Sequence, residues 1–233
     1  RELKNEFPDL LSYTRFVERI PRVAIPLLLF LKLGLMGECT GITFIDSTRI
    51  PVCENKRQSR NRVFKGYAQK GKSTMGWYYG FKLHLLCNER GELLNFALTR
   101  ANVDDRNPKV FNDLTKDLFG KLYADKGYIS QSLFASLFDR GVHIVTGIRT
   151  NMKNRLMDVH DKIMLRKRSI IETINDMLKN VAQIVHTRHR SISNFIVNLL
   201  AGIAAYAFYD TKPSINMEFE RDAKQGVRQL TLF

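Results

Sequence analysis

Residues 41–52, GITFIDSTRIPV, constrain the fold more than any other stretch of this chain. In an extended segment alternate side chains share a face. Ile42, Phe44, Asp46 and Thr48 therefore lie on one side and Ile45 on the other. β-branched residues are frequent in the run, which suits a strand. Asp46 then stands on an apolar face, where an ionised carboxylate is costly unless a partner or a metal compensates it. A second strand is expected over WYYGFKLHLLC (77–87) and a third over ELLNFALTR, with NERG turning between them. Past that point strands alternate with helices. A helix is expected over 109–119, then strand KLYAD ending at Asp125, helix QSLFASLFDR capped by Ser130 and ended by Gly141, and strand VHIVTGI. A long helix over 165–187 and a buried apolar helix over 192–209 complete the order β-β-β-α-β-α-β-α. Three antiparallel strands followed by β-α-β describe a mixed five-stranded sheet flanked by helices, an α/β architecture. Sites in such sheets gather where strands end.

The long helix is amphipathic. Ile170, Ile171, Ile174, Met177, Leu178 and Val181 form one stripe, and Arg168, Glu172, Asn175 and Lys179 fall on the opposite face. In a two-layer protein that face is solvent, and Arg168–Glu172 is a surface i,i+4 pair. The apolar helix that follows can instead cover the stripe and leave the polar face turned to the sheet. Asp46 on strand one, Asp125 at the tip of strand four and Glu172 on the helix are separated by 79 and 47 residues, and this arrangement lets them meet. Each alone is more readily structural. Together they form an oxygen-rich set suited to Mg²⁺ or Mn²⁺. Two such ions about 3.5–4 Å apart can clamp the attacking and leaving oxygens of a phosphoryl displacement.

The charge balance points the same way. Lys and Arg number 37 against 23 Asp and Glu, a net charge of +14, which favours a polyanionic partner, nucleic acid first and a membrane surface second. Both long apolar runs, 24–36 and 192–208, are short or polar for a membrane span. Cys39, Cys53 and Cys87 are odd in number and far apart, without metal spacing, which fits a reducing intracellular compartment. His186 and His189, interleaved with Arg188 and Arg190, read as a solvated basic segment rather than a metal site.

GYAQKGKS (66–73) matches the G-x-x-x-x-G-K-[ST] pattern of nucleotide-binding loops. That loop requires a buried strand before it and a helix after it. Here RNRVFK precedes it and the strand-like TMGWYYGFKLHLL follows, so no nucleoside triphosphate is expected. The surrounding run 54–76 reads as a long basic loop holding Lys56, Arg57, Arg60, Arg62, Lys65, Lys70 and Lys72. Phe64, Tyr67 and Trp77 are interleaved or adjacent. Cations and aromatics on a flexible segment can follow a nucleic-acid backbone and stack on exposed bases.

FIDST around Asp46, TRANVDD at 99–105, YADKGYIS around Asp125, and Arg168, Glu172 and Lys179 in the spacing R-x₃-E-x₆-K together resemble bacterial insertion-sequence transposases of the DDE type, most closely the group numbered nine-eight-two. The resemblance spans residues 38–210. It implies a ribonuclease-H-like catalytic domain with a metal triad of Asp46, Asp125 and Glu172 holding two Mg²⁺ or Mn²⁺ ions. It also implies cleavage and 3′-hydroxyl strand transfer of double-stranded DNA, with Arg168, Lys179 and Lys126 at the DNA. The bacterial cytoplasm and a homo-oligomer on DNA follow as the expected setting. Residues 1–37 are expected to be the remnant of a helical DNA-reading region, with SYTRFVERI more readily an ordinary helix near the domain edge than a piece of a DNA-reading helix, and 211–233 a C-terminal tail. Leu165 stands where the wider family often carries a tyrosine, and either Asp104 or Asp105 lies near the site. A nuclease that cuts without joining and a catalytically silent DNA-binding relative are the alternatives.

Overall fold

The computed structural model describes residues 5–6, 8–148, 156–185 and 189–215. The alternation at 41–52 is realised as strand β1 (Ile42–Cys53). It pairs antiparallel with β3 (Gly76–Asn88) from Thr43↔Asn88 to Cys53↔Tyr79, with a bulge between Pro51 and Cys53. The bulge falls beside a residue that has no N–H to give the ladder. On the other side of β3, β2 (Gln69–Ser73) pairs with its first half and β4 (Leu93–Arg100) with its second. Beyond β1 come β5 (Gly120–Ala124) and β6 (Val142–Thr146), both in parallel pairings. The order is β2-β3-β1-β5-β6, with β4 also on β3.

The expected ribonuclease-H-like mixed sheet is present, with six strands rather than five. The extra strand, β2, comes from the run expected to be a loop throughout. Its sequence, QKGKS, has no apolar alternation to announce it. It is held instead by backbone pairing and by a close approach: a Cβ at Gly71 would stand 2.3 Å from the Ala101 carbonyl oxygen. The nucleotide-loop pattern therefore ends in a β-hairpin, closed where the Ser73 hydroxyl donates to the Gly76 carbonyl at 3.1 Å.

Helices α3 (Pro108–Thr115) and α4 (Gln131–Phe138) cover one face of the sheet. Ile45, Leu86, Leu122, Ala124, Val142 and Ile144 meet them in a core completed by Phe111 and Leu137. Ser130 precedes α4 but makes no capping bond; its hydroxyl lies 3.0 Å from that of Ser132. The other face carries α5 (Val159–Lys167), α6 (Ser169–Asn180) and α7 (Ile192–Ala207). Phe44, Ile50, Leu83, Leu85 and Tyr123 pack there against Ile171, Ile174, Leu178 and the buried side of α7.

The single helix expected over 165–187 is two helices, broken at Arg168 and ending at Asn180. No proline or glycine forces the break. α5 lies against β5 and β6 while α6 lies against β1 and β3, and the break lets each half follow its own part of the twisted sheet. Val181, counted with the apolar stripe, falls past the helix end and is 62% exposed.

Helices α1 (Tyr13–Arg19) and α2 (Ala24–Phe30) precede a π-helical turn at Leu31–Leu35. α1 buries no side chain. α2 and the π turn lie against α7, and Leu31 is fully buried in the larger core. Among the described residues no helix is long and apolar enough to cross a membrane, and the three cysteines are free thiols. His186, Arg188 and residues 216–233 of the expected tail lie outside the described residues.

Candidate active site

The register of the parallel β1–β5 ladder brings the first two acids together. Ile42, Thr43 and Phe44 stand opposite Lys121, Leu122 and Tyr123, an offset of 79 residues. Continued by two residues, the same offset sets Asp125 opposite Asp46. Both have the parity of Phe44 and Tyr123, whose rings stack at 5.5 Å on the α6 side of the sheet. α6 brings the third acid to that side. Asp46, Asp125 and Glu172 line one cavity of about 360 Å³.

The polar face of α6 does turn to the sheet. Asn175, buried, donates from Nδ2 to Asp46 Oδ2 at 3.0 Å. At the helix break, Arg168 Nη2 donates to Glu172 Oε1 at 2.8 Å, and Nη1 stands 3.7 Å from Asp46 Oδ1. One guanidinium thus sits between two of the three carboxylates. Asp125 is exposed and accepts from the Lys126 amide at 2.7 Å, starting a 3₁₀ turn over Lys126–Tyr128. Burial pushes the Asp46 carboxyl up to about 6. Arg168 and the Ser47 amide oppose that shift, while Glu172 and Asp125 add to it. Lys179, half-buried, is shifted down by burial and by Arg49, with Asp46 drawing it back up.

The chemistry of the donor set fits a divalent cation. All three donors are hard carboxylate oxygens, and Arg168, lodged between two of them, relieves part of their mutual repulsion. Among the described residues no three His, Cys, Asp or Glu side chains form a group that could hold a metal ion as they stand.

The other expected DNA-facing cations divide. Lys72, on β2, lines the acid cavity. Lys70 and Lys72 hold their ammonium groups 5.1 and 5.9 Å from the centre of the Trp77 ring, which is 53% exposed. Lys56, Arg57, Arg60, Arg62 and Lys65 are exposed and do not line the cavity, and Lys56 pairs with Glu54 at 3.0 Å; Lys126 is exposed between Asp125 and Gly127, which do line it. Phe64 departs from its expected role as a stacking aromatic. It is buried, with its ring 6.0 Å from Phe81 and 5.4 Å from Phe195.

Sequence reasoning left out Lys82 and His84 and gave no settled role to Asn175 and Asp105, all of which shape this site. Asn175 was visible only as one member of a polar face. The choice between Asp104 and Asp105 resolves to Asp105, which lines the cavity, whereas Asp104 is held outward by Arg106 at 2.8 Å. Lys82 and His84 interrupt the apolar run of β3, and both approach Asp105, at 3.0 and 3.8 Å. A lysine two residues from a histidine in an otherwise buried strand was the signal for them.

A strand order of this kind, with acids on its first and fourth expected strands and on the following helix, defines a ribonuclease-H-like protein with a carboxylate site. The family can be stated: residues 36–192, more than half of the chain, match the family described as Transposase DDE domain, and the chain belongs to it. Members of that family use divalent metal ions. No curated protein matches the sequence. Among solved structures, the piggyBac transposase synaptic complex with hairpin DNA is similar at 11% identity and a TM-score of 0.48, over 83% of this chain. This chain spans 55% of that one.

Proposed function

We propose that the protein is a DNA transposase of the bacterial insertion-sequence kind, cutting DNA at the ends of its element and joining the freed ends to a target. The observation that carries this is the convergence of Asp46, Asp125 and Glu172 on one cavity, around Arg168, in a chain of the DDE transposase family. Asp46 and Asp125 would hold one Mg²⁺ or Mn²⁺ ion, and Asp46 with Glu172 a second. Bound there, the ions supply activation of the attacking oxygen and neutralise charge on the leaving one. Asn175 fixes the rotamer of Asp46. Arg168 moves from the carboxylates to a phosphate of the incoming strand, and Lys179 supports it from further along α6. Water attacks phosphorus and the bond to the 3′ oxygen breaks, leaving a 3′-hydroxyl and a 5′-phosphate. That hydroxyl then attacks a phosphodiester of the target, so one bond forms as one breaks and no external energy source is consumed.

Residues 38–210 are read as the catalytic unit, 1–37 as a helical appendage, and the working form as a homo-oligomer on DNA in the bacterial cytoplasm. The basic segment 54–76 and Lys126 grip the flanking duplex through phosphates, which positions the substrate without specifying sequence. Asp46→Ala, Asp125→Ala and Glu172→Ala each abolish Mg²⁺-dependent cleavage while DNA binding stays near wild type. Full cleavage by Asp46→Ala would overturn the assignment. Supplying a pre-cut end with a free 3′-hydroxyl tests the joining step: joined product is expected, and its absence alongside retained cleavage identifies a nuclease.

A further inference from the structure

Lys82, like Arg168, is a little-exposed cation at this site. It lies on β3 with its side chain only 14% exposed, and its ammonium is held on two sides. It donates to the Val103 carbonyl at 2.8 Å and pairs with Asp105 Oδ1 at 3.0 Å. An ammonium has three N–H donors. Those two groups are its hydrogen-bonding and ion-pair partners among the described residues, so the third donor has no protein partner there. The cavity it lines is the one that holds Asp46, Asp125 and Glu172.

His84, 1% exposed, comes within 3.8 Å of the same Asp105 oxygen with Nδ1, and its Nε2 lies 2.9 Å from the Thr99 hydroxyl. Asp105 Oδ1 is buried and accepts no hydrogen bond among the described residues, so Lys82 meets it as an ion pair alone. Lys82 and His84 stand on β3, paired there with Thr99 and Ala97 of β4. A lysine on a flexible stem normally loses much of its binding energy to ordering. Lys82 has lost that freedom on folding.

We infer that Lys82 is a preorganised donor to a phosphate oxygen of the DNA strand in the acid cavity, and that Asp105, its ion-pair partner, is its positioning residue. This rests on the DNA-processing reading above. Lys82 and Lys72 on one side and Arg168 on the other then bracket a phosphodiester whose charge the three carboxylates alone would repel. The other exposed cations of segment 54–76 act outside the cavity, at phosphates along the duplex.

The test is the salt dependence of binding to a short mixed-sequence DNA duplex. Lys82→Met lowers the slope of log affinity against log salt by about 0.9, the value for one neutralised phosphate. Lys82→Arg restores it. Asp105→Asn leaves the slope at the wild-type value, because the cation remains, and weakens binding several-fold. Removing Lys82 alone leaves Asp105 unpaired and risks unfolding, so Lys82→Met/Asp105→Asn, which removes both charges, is measured as well and shows the same lowered slope. A wild-type slope in folded Lys82→Met or in the double variant overturns the role of Lys82. Undiminished affinity in Asp105→Asn overturns the positioning role. A wild-type protein with no salt-dependent DNA binding would instead overturn the proposed function and take this inference with it.

Discussion

At the residue scale the protein keeps a carboxylate where burial disfavours its charge. Asp46 is raised from its ordinary 3.8 to about 6, chiefly by burial. Between those values the native state holds more protons than the unfolded one, so stability falls as pH rises across that window and levels off above it. Asp46→Asn should remove this fall and be more stable than wild type at pH 7, by up to about 3 kcal/mol if the whole two-unit shift is relieved. Thermal midpoints of both proteins from pH 4 to 8 check it, and parallel curves would contradict it. Because a metal ligand must be deprotonated, divalent-ion affinity measured by calorimetry should rise as pH passes through about 6. The presence of Asp46 on an apolar face was legible from strand alternation alone. Its partner Asn175 was not, since one amide among four polar side chains on a helix face carries no mark that it will be the buried one.

At the scale of elements, the basic excursion 54–76 is fastened to the core by Phe64 and Ala68, with Val63 packed beside them. Phe64 sits between Phe81 and Phe195, its amide accepted by Asn61 Oδ1 at 3.1 Å and its carbonyl accepting from the Tyr79 hydroxyl at 3.1 Å. Phe64→Ala should cost about 3–5 kcal/mol, measured by urea denaturation, and should expose the segment to proteases before the sheet unfolds. A loss under about 1 kcal/mol would place Phe64 outside the core, as composition had suggested. The strands with apolar alternation and the helices with a clear stripe were readable in advance. β2 was not, because its stability lies in backbone pairing and in the space Gly71 leaves for Ala101, neither of which has a hydropathy pattern. The break at Arg168 was equally hidden: the helical periodicity continues through it, and the sheet's twist imposes it from outside.

For the whole molecule, a net charge of +14 accompanies cations on the cavity wall, among them Lys72, Lys82 and Arg168, and exposed cations along 54–76. Charge reversal at Lys65, Lys70 and Lys72 together should weaken duplex binding and flatten its salt dependence by about 0.9 for each phosphate left without its cation. ATP added to either protein should change nothing, since Lys72 and Ser73 belong to a strand and hairpin rather than to a helix start. Unchanged binding by the triple variant would remove the hairpin from the interface. The hairpin and the acid site share one strand: β3 pairs with β1 along nearly its whole length and with β2 and β4 along its other edge. Gly80, midway, passes so close to β1 that a Cβ there would meet the Ile50 carbonyl at 2.2 Å. A load applied lengthwise to the β2–β3 hairpin would therefore reach β1, and Asp46 within it, as shear across a row of hydrogen bonds, the direction in which a ladder yields least.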